Sequence, residues 1–142
     1  MAQNLVEVHI ADASMFSFKV KAGQVVKVGE LVEISGDIEV QRAGAGSEKV
    51  LGIVYGGTVG IDGINDGFEG DKKHVVTVVL IGKANQVYVK AGTGGLVAGD
   101  AVKSDASGQG VKATLGTDSA HAVVGLVIKG AVAGERAIVL TN

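Results

Sequence analysis

The chain uses the same vocabulary twice, in the same order. Lys21-Ala22-Gly23, Gly29-Glu30-Leu31-Val32 and Val50-Leu51-Gly52-Ile53-Val54-Tyr55-Gly56-Gly57 return as Lys90-Ala91-Gly92, Gly99-Asp100-Ala101-Val102 and Val123-Val124-Gly125-Leu126-Val127-Ile128-Lys129-Gly130. What returns is apolar runs punctuated by glycine, which is the grammar of strands and turns; no reactive side chain returns with it. The doubling predicts two similar β units, roughly residues 19–82 and 88–142, within a single domain spanning residues 1–142. Residues 1–10 are left over as an N-terminal arm or a further strand.

Composition supports an all-β chain. Valine is the commonest residue, followed by 23 glycines, and there is no proline or tryptophan. Branched valine packs well on a pleated surface, and glycine reaches turn conformations that other residues enter only with strain. The expected fold is a compact β-barrel, β-sandwich-like or β-tulip-like domain with little helix. At 142 residues it needs no covalent staple. The absence of cysteine excludes disulfides, thiolate metal sites and thiol chemistry.

The formal charge of −2, with Lys and Arg scattered mostly singly, provides no basic stripe for a run of phosphates, so no nucleic-acid partner is expected. No membrane partner is expected either. Met1-Ala2-Gln3-Asn4 lacks the features of a signal peptide, and the apolar run from Val75 to Ile81 is far short of the ~20 residues of a spanning helix. The reading is a soluble protein that no standard signal exports.

Val6, Val8 and Ile10 alternate with Glu7 and His9, and Phe16, Phe18 and Val20 alternate with Ser17, Lys19 and Lys21, the period of a strand with one buried face. Further strands are predicted at Leu31 to Ser35, Ile38 to Arg42 and Val50 to Tyr55, with a hairpin turn at Ser35-Gly36-Asp37. His74 to Ile81 is apolar almost without a break, which fits a strand covered on both faces or a buried helix; its valines and its length favour the strand, with Val87 to Lys90 pairing near it. The second half predicts strands at Ala101 to Lys103, Gly110 to Thr114, Val123 to Ile128 and Ala137 to Thr141. The halves differ chiefly in one connection, Thr58 through Lys73 against Ala131 through Arg136. That long loop, with Ile61 to Phe68 at its centre, is a candidate contact surface.

Motifs that suggest chemistry fall short of it. Asp62, Asp66 and Gly67 occupy the first, fifth and sixth positions of a calcium loop, but Ile64 stands third and Lys73 twelfth, where carboxylates are required. Gly108, Gly110 and Ala113 match a dinucleotide fingerprint without the helix that would hold a pyrophosphate, and Gly44 and Gly46 lack the spacing of a phosphate loop. Both read as turns. His9, His74 and His121 lie in separate elements without zinc spacing. Glu7 beside His9 and Asp71 before His74 read as ordinary surface pairs. Ser14, Ser17, Ser35, Ser47, Ser104, Ser107 and Ser119 lie in no nucleophile elbow or triad. No catalytic, cofactor or metal residues are assigned, and the chain reads as a non-enzyme.

Two resemblances follow from these residues. The run Phe18 to Val32 is similar to the first hairpin of biotinyl and lipoyl carrier domains, but no Met-Lys-Met or Asp-Lys-Ala acceptor signature accompanies it, so this likeness is one of barrel-like geometry. Gly99-Asp100-Ala101-Val102, Gly110-Val111-Lys112-Ala113-Thr114, Val124-Gly125-Leu126-Val127 and Ala133-Gly134-Glu135-Arg136-Ala137-Ile138-Val139-Leu140 resemble the capsid decoration, or cement, proteins of tailed bacteriophages. With its weaker first-half copy the likeness covers about four fifths of the chain.

The resemblance implies a structural protein made in the host cytoplasm that binds the outer surface of the expanded head in the virion. There it would act as a homotrimer, bridging copies of the major capsid protein against the pressure of the packaged genome. The family carries no motif-defined active site or cofactor. Ala2 to His9 then has two readings: an arm adding to a strand edge on a capsid subunit or trimer neighbour, or an internal strand. A virion-displayed carbohydrate-binding or adhesive module is the competing class, weakened because aromatics make up only 4% of the chain.

Overall fold

The computed structural model describes residues 6–10, 14–57, 75–82 and 84–141. Among them the only helical element is a 3-10 turn at Ala120–Ala122; everything else regular is strand, so the chain is all-β as its composition requires. The strands are β1 (Glu7–His9), β2 (Met15–Val20), β3 (Leu31–Gly36), β4 (Glu39–Arg42), β5 (Val50–Gly57), β6 (Val75–Leu80), β7 (Gln86–Lys90), β8 (Ala101–Ser104), β9 (Gly110–Lys112), β10 (Gly125–Lys129) and β11 (Arg136–Thr141).

The first-half strands close into a five-stranded barrel in the order β2-β4-β3-β5-β6, sealed by a parallel pairing of β2 with β4 at Lys19 and Val20. The rest form a six-stranded sheet in the order β1-β7-β11-β10-β8-β9. This sheet curls in the same sense. Ala91 just past β7 makes a single parallel bridge to Gly110 of β9, and the Gly92 N–H donates to the Gly110 carbonyl at 2.8 Å, where in the barrel the Lys21 N–H donates to Val40 at 2.9 Å. One bridge stands where the barrel has a strand pair.

The pairing recurs position by position. Val32 meets Gly52 and Arg42 as Val102 meets Gly125 and Lys112. Gly29 N–H donates to Val54 and Gly99 N–H to Val127, both at 2.8 Å, and the two valines return bonds to the carbonyls of Glu30 and Asp100. Each of these acidic residues also caps its own turn, through Lys27 N–H to Glu30 Oε1 at 2.8 Å and Val97 N–H to Asp100 Oδ2 at 3.0 Å. The Lys-Ala-Gly triplets are not the equivalent positions, however. The turn closes as Gln24 N–H to Lys21 O in one half and as Gly95 N–H to Gly92 O in the other, so Lys21 corresponds to Gly92 and Gly23 to Gly94. What fixes the turn is the glycine at positive φ (81° and 91°), not the letters around it.

The central glycines of β5 and β10 are required by close approach. A Cβ on Gly52 would collide with the Val79 carbonyl, and one on Gly125 with that of Leu140. These are the next strand's backbone at the same register, which explains why glycine interrupts both valine runs.

Two cores result. Val20, Val26, Val32, Val40, Val54, Val76 and Val78 fill the barrel. The second core joins the outward side chains of the barrel, Leu31, Ala43, Ile53 and Val79, to the concave side of the sheet, including Val87, Val102, Val127 and Val139. β6 therefore has a buried face on each side, Val76 and Val78 in one core and Val79 in the other, as its nearly unbroken apolar run predicts.

Two strand expectations need correction. Val87 does not pair near β6; β7 lies between β1 and β11. Phe16 does not share a buried face with Phe18 and Val20, being 51% exposed beside an exposed Met15. β4 pairs with β2 only at Lys19 and Val20, so the start of β2 is held by β6 alone and no described strand flanks its other side. At the N-terminus Val6 is buried in the second core and β1 pairs antiparallel with β7, as an internal strand at a sheet edge does.

Candidate functional site

Residues 58–74, including the Ile61 to Phe68 segment, Asp62, Asp66, Asp71 and His74, lie outside the described residues, as do residues 1–5. Among the described residues, no group of three or more His, Asp and Glu side chains is placed to hold a metal ion. No described helix is long and apolar enough to cross a membrane.

The remaining sequence candidates are dispersed. His121 is exposed in the 3-10 turn, its N–H capped by Ser119 Oγ at 3.2 Å. Ser14 is buried at the start of β2 with no hydrogen-bond partner for its Oγ among the described residues. Ser104 Oγ donates to the Asp105 carbonyl at 2.9 Å, Ser35 Oγ to Glu39 Oε1 at 3.0 Å, and Ser47 Oγ accepts the Lys49 N–H at 3.2 Å. Ser17 is exposed, and Ser107 lies in the β8–β9 turn, its N–H bonded to Asp105 Oδ1 at 2.8 Å. These are turn-closing and strand-surface roles. Gly108 closes the β8–β9 turn, Gly110 opens β9, and Gly46 lies in the loop after β4, so the phosphate-loop look-alikes are turns.

The strongest electrostatic feature sits at one position in both halves, with the sign inverted. Glu33 on β3 is 8% exposed and accepts Gly44 N–H at 2.8 Å and Gln41 Nε2 at 2.9 Å. Burial opposes its charge, but these bonds, with Ser47 and the charge of Lys49, outweigh burial and hold its carboxyl below the usual range. Lys103 occupies the corresponding place on β8. It recruits Asp118 at 2.9 Å, and Asp118 then accepts Thr114 N–H at 2.7 Å as Glu33 accepts Gly44. The Lys103 bond, helped by Thr114, holds the Asp118 carboxyl low as well. Both arrangements satisfy one backbone N–H at the end of a short strand.

What the surface does offer is apolar side chains. Leu126 and Ile128 project from the outer face of β10 at 47% and 45% exposure, with half-buried Leu140 and Ile138 beside them on β11. Val97 and Val132 lie together at one end, where Leu96 bridges to Ala131. Ile38, at the tip of the β3–β4 hairpin, is 67% exposed and holds φ at +52°, a left-handed conformation that a β-branched residue rarely adopts. The sequence places Ile38 at the start of a strand; it is a turn residue, and no local pattern distinguishes it from the strand that follows.

No protein-family model matches the chain, and no curated protein matches it by sequence. Among solved structures it is similar to the head fiber gp8.5 N base of bacteriophage phi29, at TM-score 0.56 and 22% identity over 90% of this chain and 94% of that one. The two share a fold. The likeness extends over nearly the whole of both chains and so includes the barrel and the sheet together.

Proposed function

We propose that this chain is a structural protein of a phage head that binds the exterior of the expanded shell as a homotrimer, bridging major capsid subunits and stabilising the shell against genome pressure. The observation that carries the proposal is the fold shared with a phage head-fiber base across nearly the full length of both chains. The second-half motifs that resemble capsid decoration proteins point the same way from sequence. In physical terms a doubled β framework tied by two cores is a stiff bracket, and three copies held together bind as one body, with avidity that can exceed a single footprint by ~100-fold or more. Ordinary β surfaces suffice for this, and no special residue is needed.

The test is to mix the purified protein with undecorated expanded heads and measure co-sedimentation and the temperature at which the heads release DNA. Saturable binding with a higher release temperature is expected. Failure to bind heads of any tailed phage propagated with it overturns the proposal.

A further inference from the structure

One patch can be compared position by position between the two units. Both carry the same register slip, between Val54 and Gly56 on β5 and between Val127 and Lys129 on β10. Past the slip, the barrel pairs Gly56 with Thr77, Thr77 with Ser17 and Val75 with Lys19; the sheet pairs Lys129 with Ile138, Ile138 with Tyr88 and Arg136 with Lys90. The same backbone frame therefore holds Gly56, Ser17 and Val75 in one unit where it holds Lys129, Tyr88 and Arg136 in the other. The barrel shows that the frame forms without these two cations and the aromatic ring.

The five side chains of the sheet share its outer face. The Arg136 guanidinium carbon lies 4.8 Å from the centre of the Tyr88 ring, a cation–π contact that holds its plane. Its Nη1 is buried with no hydrogen-bond acceptor. Lys90 stands directly across the strand pair from Arg136, where a like charge repels, and Lys129 stands diagonally across β10 and β11 from it. Both lysines are exposed. The ion pairs among the described residues are Arg42 with Glu30, Lys103 with Asp118 and Lys112 with Asp100, and none of them reaches this patch.

An unpaired buried guanidinium nitrogen and a repulsion across a strand pair both cost stability, and the barrel avoids both with Val75. Costs that one unit carries and its twin does not are those of a site kept for a ligand. The chemistry here is that of an anion receptor. An arginine whose plane is held by a ring offers its N–H fork to a carboxylate, and the two lysines add charge around it. Half-buried Tyr88 and Ile138 supply an apolar floor, and Tyr with Arg is the composition of a protein contact. Three cations on a chain of net charge −2 are too few to follow a nucleic-acid backbone.

We infer that Arg136, Lys90 and Lys129, set around Tyr88 and Ile138, form a site for a carboxylate side chain of a protein partner. The site rests on the decoration reading only for the identity of that partner, an acidic surface segment of the major capsid protein.

The barrel supplies the substitutions that test it. Arg136→Val and Tyr88→Ser carry residues that the same frame accepts in the barrel, and Lys90→Gln with Lys129→Gln changes only exposed positions, so all are expected to keep the β circular-dichroism spectrum. Nuclear magnetic resonance titration with a blocked tetraglutamate peptide is expected to shift the Tyr88 ring signals of the wild type saturably and to leave them unmoved in Arg136→Val and in the double lysine variant. On expanded heads, Arg136→Val is expected to bind about tenfold more weakly than the wild type and to lose less on addition of salt. A peptide that leaves Tyr88 unmoved, or moves it equally in Arg136→Val, overturns the inference, as does inorganic phosphate that shifts the ring as strongly as the peptide. A variant with Asp62, Asp66 and Asp71 changed to Asn and Glu69 to Gln is expected to bind the peptide as the wild type does; tighter binding would mean that the chain fills the site itself, and would overturn the inference. Heads that bind wild type and Arg136→Val alike overturn it while sparing the decoration proposal. Heads that bind neither, with the peptide still titrating Tyr88, do the reverse.

Discussion

The barrel and the sheet are built on one hydrogen-bond plan and differ in how they are finished. The barrel closes through two parallel pairs, Lys19 with Glu39 and Val20 with Val40, and keeps a valine core of its own. The sheet closes through one bridge at Gly110 and borrows the barrel's outer wall to complete its core. Where the barrel packs Val40, the sheet has Gly110, whose Cβ would press on Val89 and Val102. The same plan therefore yields one self-sufficient unit and one dependent on its neighbour, decided by a few side-chain volumes.

The sharpest way to break this comparison is at the paired glycines. Gly52→Ala drives a methyl into the Val79 carbonyl within a closed wall and is expected to cost on the order of 4 kcal/mol or more, while Gly125→Ala meets the Leu140 carbonyl beside a wall that is closed only at one bridge and should cost less. Urea unfolding of both variants measures the order, and equal losses would show that closure adds no rigidity. A smaller effect tests the inverted charge. Glu33→Gln is expected to destabilise by about 1–2 kcal/mol at neutral pH through the weakened bond to Gly44. The sign with pH is fixed: a carboxyl held below its unfolded value of 4.5 contributes fully above that pH and loses its contribution as the pH falls through the lower folded value. The gap between wild type and Glu33→Gln should narrow on acidification below about pH 4.5. Asp118→Asn, at the matching place, should show the same direction. The smallest expected change is a gain: Ile38→Gly relieves the positive φ and should stabilise the protein by roughly 1 kcal/mol in a thermal melt, and an unchanged or lower melting temperature would show that the turn carries no strain.

Much of the fold can be read in the sequence because its signals are local. The eleven strands among the described residues follow from alternation, valine density and glycine punctuation, and the two-faced burial of β6 follows from an apolar run broken only by Thr77. The rest depends on distant partners. Phe16 alternates correctly yet lies exposed because β4 stops short of it, and Val87 sits beside β11 because the chain crosses back at its end. Of the candidate contact surface, the apolar character of Leu126 is visible in sequence but its exposure is not, since Ile53 in the same word is buried. The left-handed turn at Ile38 has no signal in its own residue type; only alignment with Gly108 reveals it.

β6 is a party wall. Because Val76 and Val78 face one core and Val79 the other, pulling that strand away opens both rooms at once. β3 and β5 share the duty, through Leu31 against Val32 and Ile53 against Val54, so a load on the sheet reaches the barrel's interior through three neighbouring ribbons of backbone.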